Sequence, residues 1–272
     1  MTTRSATGQE NIVHTFETPT PVRVIVKTGA GHVTVTAEDT QRTTVELTAL
    51  NSAGEQVVAE TVVEHRDGTV LVDVPRERPG LFRTGPSVGV VVTCPRGSEL
   101  DAASGSADLR ALGEYAGATM RTGSGNISLE SVTGPGTVKT GSGEIQIDRS
   151  TGRTMVAVGS GNVRVGEVAG ELVTKTGSGD VEVDRLDGSL VTKSGSGRLV
   201  VRRADSGTVN ANGASGNVSV GIAEGTAAWL DVSTVSGRVH QELGATDPPG
   251  EGRPTVEITA HTVSGDLRIH RS

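Results

Sequence analysis

The sequence predicts an all-β chain: a single-chain β-solenoid, a right-handed parallel β-helix of about 18 residues per coil with a β-rich N-terminal cap. Three observations predict it. A glycine-serine-glycine phrase returns at a fixed step, and apolar residues between its copies alternate with a period of two. The composition, 38 glycines with 1% aromatic residues among 272, suits a thin core of aliphatic side chains and threonine.

The repeat is explicit in "GSGNISLESVTGPGTVKT" from Gly123, "GSGEIQIDRSTGRTMVAV" from Gly141, "GSGNVRVGEVAGELVTKT" from Gly159, "GSGDVEVDRLDGSLVTKS" from Gly177 and "GSGRLVVRRADSGTVNAN" from Gly195, a step of 18 throughout. Looser copies stand at 28–35, 103–109, 214–220, 235–240 and 263–269. Each unit holds two short strands. In the first, Ile127 and Leu129, Ile145 and Ile147, Val163 and Val165, Val181 and Val183, and Leu199 and Val201 are expected to face inward.

The facing of the second strand follows from charge. Lys139, Lys175 and Lys193 share one column, and an unpaired ammonium inside a narrow apolar tube is too costly, so this column faces out. Two residues earlier, Met155, Val173, Val191 and Val209 then also face out, while Val138, Val156, Leu172 and Leu190 face in. The two glycines mark a corner where coil backbones stack closely, and the serine between them is expected to satisfy corner amides. Residues Ser131, Arg149, Glu167, Arg185 and Arg203 fill one outward column, and Gly166 separates Asp148 from Asp184 in the next, so most like-charge stacking is avoided.

Outside the array, residues 1–19 read as a frayed N-terminus. Residues 20–100 read as a cap or degenerate coils, with strands expected at 22–26, 32–37, 43–49, 56–64, 69–74 and 88–93; residues 101–272 read as the solenoid. "GATDPPGEGRP" at 244–254 reads as an exposed loop, Trp229 is expected to pack at the wider end of the tube, and Arg268, His270 and Arg271 are placed on the last coil. Charge there is expected to discourage end-to-end addition.

Several function classes are disfavoured. The net charge is −7 with scattered basic residues, which provides no footprint for nucleic acid. No apolar run is long enough for a membrane span or a signal peptide, so a cytoplasmic location is expected. Every glycine phrase opens a strand, whereas a phosphate loop needs a following helix. A calcium nonapeptide would place aspartate where the chain has Asn126, Glu144, Asn162, Asp180, Arg198 and Asn217. The six histidines lack metal-ligand spacing, and Cys94 reads as a small buried thiol. No catalytic residue, cofactor or metal is assigned.

The unit T-G-S-G-[DNE]-h-x-h, the upstream "VVVTCPRGSELDAASGSADL" and the closing "WLDVSTVSGRV" and "ITAHTVSGDLRI" resemble the bacterial β-strand-repeat family of adhesin-like proteins, a domain of unknown function common in actinobacteria, over residues 21–270. The resemblance implies a β-solenoid and no catalytic residues. The expected function is therefore a non-enzymatic scaffold recognising an unidentified protein or surface polymer through an outward face of Lys139, Met155, Val173, Lys175, Val191, Lys193 and Val209. The chain is expected to be a monomer. One alternative is a self-assembling, bactofilin-like rod joined end to end. Another is a carbohydrate-active enzyme using Asp148 and Asp184, about 10 Å apart by coil spacing.

Overall fold

The computed structural model describes residues 2–4, 10–75, 85–243 and 254–272, and divides into two compact units, Met1–Thr140 and Gly141–Ser272. Each is built from stacked β-coils, as the period-two alternation requires. The first unit contains β1 (Thr2–Arg4), β2 (Glu10–Glu17), β3 (Arg23–Thr28), β4 (Ala30–Glu38), β5 (Arg42–Ala49), α1 (Ser52–Glu60), β6 (Val62–Arg66), β7 (Thr69–Asp73), β8 (Ser87–Pro95), β9 (Glu99–Ser104), β10 (Asp108–Tyr115), β11 (Gly117–Thr122), β12 (Ile127–Val132) and β13 (Gly136–Thr140).

In this unit one parallel sheet runs β7–β3–β9–β11–β13 and the facing one runs β8–β4–β10–β12. The coil β7–β8, although later in the chain, lies outside the coil β3–β4. Its outer edges are covered by antiparallel strands, β6 on β7 and β5 on β8, with β2 and then β1 beyond β5. Residues 10–17, expected to fray, thus form a strand, because the free edge of β5 accepts their ladder hydrogen bonds.

The strand expected at 56–64 is instead the end of α1 followed by β6. Asn51 caps the helix by accepting the Gly54 amide at 2.8 Å, and the adjacent Val57 and Val58 are both buried, which a strand facing alternately in and out would not achieve.

The second unit contains β14 (Ile145–Ser150), β15 (Arg153–Val158), β16 (Val163–Val168), β17 (Glu171–Ser178), β18 (Val181–Ser196), β19 (Leu199–Ser215), β20 (Val218–Ile222), β21 (Ala227–Ser236), β22 (Val239–Glu242), β23 (Thr255–Ser264) and β24 (Leu267–Arg271). Strands β18 and β19 bend through a corner and serve both sheets. One sheet runs β15–β17–β18–β19–β23–β21, the other β14–β16–β18–β19–β20–β24–β22, all parallel. The coil β23–β24 therefore sits between β19–β20 and β21–β22. Arg268, His270 and Arg271 are not on the outermost coil, as the sequence order suggests; β21 and β22 are.

The inward positions are as the alternation predicts. All ten first-strand positions and Val138, Val156, Leu172 and Leu190 are buried. Fully burying one such aliphatic side chain stabilises by about 1.5–3 kcal/mol. Threonines inside the tube satisfy one another, with Thr174 donating to Thr192 Oγ1 at 2.9 Å.

Val209 is the exception. It is buried, and the outward position beside Val191 belongs to Asn210. The cause is a bulge: Leu186 pairs with Ala204 but Asp187 pairs with Ser206, so Asp205 is an extra residue and the facing of everything after it shifts by one. Trp229 also departs from expectation, being 67% exposed on the outer side of β21.

At the corners the second glycine of the phrase, its third residue, is required by the neighbouring coil. A Cβ on Gly179 would overlap the carbonyl oxygen of Gly161; at Gly197 the same overlap with Gly179 is joined by a left-handed φ of +139°. The serine between the glycines is exposed, contrary to its expected capping role. The residue before the phrase supplies the hydroxyl instead, Thr122 Oγ1 accepting the Gly125 amide at 3.2 Å and donating to the Ala107 carbonyl at 3.1 Å.

The column that lacks calcium ligands forms a ladder of its own. Asp108 accepts the Asn126 amide, Asn162 the Asp180 amide, Asp180 the Arg198 amide, Asn217 the Asp266 amide and Asp266 the Arg238 amide, all between 2.8 and 3.1 Å. Short Asx side chains thus stitch coil to coil where the strand begins.

On the β14–β16–β18–β19 sheet of the second unit, arginines and carboxylates alternate between coils. Arg164 meets Glu182 at 3.0 Å, Arg202 meets Asp184 at 3.0 Å and also touches Glu182, and the bulged Asp205 receives Arg185 at 2.6 Å and Arg203 at 2.8 Å. The Arg164 hydrogen bond holds Glu182 below the usual carboxylate range. Partial burial pushes Asp205 upward, but its two arginine hydrogen bonds prevail and hold it low; the Arg198 amide does the same for Asp180.

Two predictions follow from this packing. Gly179→Ala should destabilise by about 1–3 kcal/mol or more in denaturant melts, since backbone must move. Gly213→Ala, whose Cβ would meet only ordinary contacts near 3.9 Å, should stay within about 0.5 kcal/mol of the parent. Because the folded carboxylate values are depressed, their stabilisation is fully present above the unfolded values near about 4 and is lost as pH falls through the folded ones. Thermal melts should be flat from neutral pH down to about 5 and then drop.

Candidate interaction face

The sheet formed by β15, β17, β18, β19, β23 and β21 carries a different surface from its ionic counterpart. Parallel register places Met155 beside Val173, Val173 beside Val191 and Val191 beside Asn210, about 4.8 Å apart per coil. Two residues on, the parallel column runs Ala157, Lys175, Lys193, Asn212, His261 and Ser233. Met155, Val173 and Val191 are half-buried and outward, and Lys175 and Lys193 are exposed. Lys139 is also exposed and outward but belongs to the first unit, where it pairs in register with Arg121. Val209 faces the core and is not part of this surface.

Charge is handled differently on the two sheets. Among the described residues, Arg149, Arg164, Arg185 and Arg202 of the ionic sheet reach carboxylates of a neighbouring coil, and on the other sheet Arg153 reaches Glu171, whereas Lys175 and Lys193 join no ion pair. Two ammonium groups therefore stand one above the other beside an apolar row. Stacked like charges cost stability unless something outside the chain neutralises them.

The strip ends in an open groove of about 840 Å³ within the second unit. Lys193, Asn212 and His261 form one wall and Val235 and Val263 another. Thr176 Oγ1 and Ser194 Oγ, buried with no hydrogen-bond partner among the described residues, lie in its lining. His261 Nδ1 lies 2.7 Å from Ser233 Oγ, and its Nε2 lies 3.8 Å from Asp231 Oδ2. The constant step of 18 hides all three: Asn212 replaces Ala211 beside Lys193 because of the Asp205 bulge, and His261 and Ser233 join the lysine column only once β23 is known to sit between β19 and β21. The lengthened repeat spacing after Gly216 is the one visible trace of that rearrangement.

The other sequence candidates are engaged in structure. Asp148 accepts the Gln146 amide at 3.0 Å and Asp184 accepts Arg202 at 3.0 Å, both on the exposed ionic sheet. Asp180, the residue closest to a calcium ligand by motif, gives one oxygen to the Arg198 amide and the other to its guanidinium at 3.0 Å. Cys94 is fully buried, and burial pushes its thiol up to about 11, so it is not a thiolate at neutral pH. No group of three metal-ligating side chains occurs among the described residues, and no described helix is long and apolar enough to cross a membrane.

The solved structures of similar fold include a "putative lipid binding protein" from Parabacteroides distasonis, 15% identical, covering 94% of this chain and 96% of that one with a TM-score of 0.57. A "putative adhesin" from Bacteroides fragilis is 11% identical over 95% of this chain and 96% of its own, with a TM-score of 0.43. No curated protein matches the chain. The likeness to the Parabacteroides structure shows the fold alone. The family model of Toastrack DUF4097 matches residues 23–270, over which corners, columns and closing coils all lie, and the chain belongs to that family.

Proposed function

We propose that the chain is a non-enzymatic β-solenoid scaffold that holds an acidic protein or surface polymer against the strip of Met155, Val173, Val191, Lys175 and Lys193. The observation that carries this reading is the contrast between the two sheets of the second unit. One pairs its arginines with carboxylates of neighbouring coils, while the other, beside an Arg153–Glu171 pair, leaves two stacked lysines unpaired next to three outward apolar side chains. Such a surface fits a partner with carboxylates or phosphates spaced like the coils and an apolar component beside them.

The groove at the end of the strip extends the reading, since the exposed Asn212 and the His261 ring offer hydrogen bonds beyond the lysines. The name carried by the Parabacteroides distasonis structure of similar fold, "putative lipid binding protein", agrees with a binding role.

The test uses immobilised polyglutamate, alginate and phosphatidylglycerol vesicles as probes. At least one should be retained, with affinity falling as salt rises. Val173→Glu with Val191→Glu, and separately Lys175→Glu with Lys193→Glu, should weaken that binding by about tenfold or more, at least 1.4 kcal/mol, with unchanged far-UV circular dichroism. Equal retention by the parent and both variants would dispose of this face.

A further inference from the structure

We infer that the outer edge of β21 is a self-complementary interface through which two copies of the chain pair about a two-fold axis. This goes beyond the partner-binding strip and does not rest on it. Three observations lead there. First, β21 pairs with β23 on one side, and among the described residues no strand covers its other side, so alternate backbone amides and carbonyls of a ten-residue strand face outward. In the first unit the corresponding outermost strands, β7 and β8, are both covered by antiparallel neighbours.

Second, the edge lacks the usual protection. Exposed edge strands are commonly blunted by lysine, proline or a bulge. From Ala227 to Ser236 the only charge is Asp231, and there is no proline. The surface is instead apolar, with Trp229 67% and Val235 82% exposed and Val263 of the adjoining strand 57% exposed. The sequence that leads on from β22, residues 244–253, has two prolines and no valine, leucine, isoleucine or aromatic residue.

Third, the edge matches itself. A two-fold axis normal to the sheet makes two copies of β21 antiparallel, and residues opposite each other must face the same side. With the axis at Val232, Trp229 falls opposite Val235 of the second copy and Asp231 opposite Ser233, while inside the tube Leu230 meets Thr234 and Val232 meets itself. An aromatic residue against a β-branched one is a favourable cross-strand pair. Moving the axis to Asp231 opposes two carboxylates and leaves Trp229 on serine. Moving it to Ser233 sets Trp229 against Gly237 and Asp231 against valine. The sequence of this strand singles out one register, and closure by a two-fold axis gives a dimer, whereas the filament of the end-to-end alternative needs two open ends.

Sedimentation and light scattering across a concentration series should show a reversible monomer–dimer equilibrium and nothing larger. Val232→Cys should form a disulfide-linked dimer on oxidation, since opposed Cα atoms lie about 4.5–5.5 Å apart in such a pair and the native Cys94 is buried. Asp231→Cys should not, because its copies lie two residues out of register. Trp229→Lys with Val235→Lys should be monomeric with an unchanged far-UV spectrum, and mixing it with Trp229→Glu, Val235→Glu should restore the dimer. A strict monomer at all concentrations, a dimer indifferent to the lysine pair, or cross-linking at Asp231→Cys but not at Val232→Cys would each overturn the interface. So would a chain that dimerises only after residues 244–253 are shortened.

Discussion

The close approach of backbones at the second glycine of each corner phrase is the constraint on which the rest of this structure depends. There the carbonyl of one coil occupies the space a neighbour's Cβ would need, as Gly179 over Gly161 and Gly197 over Gly179 show. That contact fixes adjacent coils in register at one point per turn. Once fixed, every other position of the repeat is a column, and its side chains have the same neighbours above and below.

Column geometry turns single-residue chemistry into collective chemistry. Threonines at Thr174 and Thr192 cost little inside the tube because each satisfies the other. Asx residues at the start of the strand reach the amide of the next coil, and arginine and glutamate exchange places from coil to coil so that like charges rarely stack. Against that background the lysine column is an anomaly. Lys175 lies in register with Lys193 and neither has a carboxylate partner among the described residues, whereas the stacked Arg185 and Arg203 of the opposite sheet share Asp205, and this is why the strip and not the more heavily charged sheet carries the functional proposal.

Much of this was legible in the sequence where the step is constant. From Gly123 to Gly195 the alternation assigns inward residues and the lysine column without error, since charge and period agree. Legibility fails where a count or an order changes. Asp205 is one inserted residue, and it reverses the facing of Val209 although the local pattern looks unbroken. Val57 and Val58 suggest a strand by composition, and only the Asn51 cap marks them as helical. The same insertion sets Asn212 beside Lys193, and His261 and Ser233 join the candidate face through a coil order that no local pattern encodes.

That order has a physical consequence. A coil at the end of a stack has a neighbour on one side only. Here the coil β23–β24 is inserted between two others, so both of its edges are paired, and the coil left outermost, β21–β22, is continuous with chain at both ends. In the first unit the stacking order departs from chain order as well, with β3–β4 lying between β7–β8 and β9–β10, but there the outermost coil is covered by β5 and β6. In the second unit the exposed position falls to a coil tethered twice and, among the described residues, without a covering strand. An ordered but unpaired edge is what a second strand needs in order to add in a defined register, so the coil order that encloses β23–β24 also prepares a surface for association.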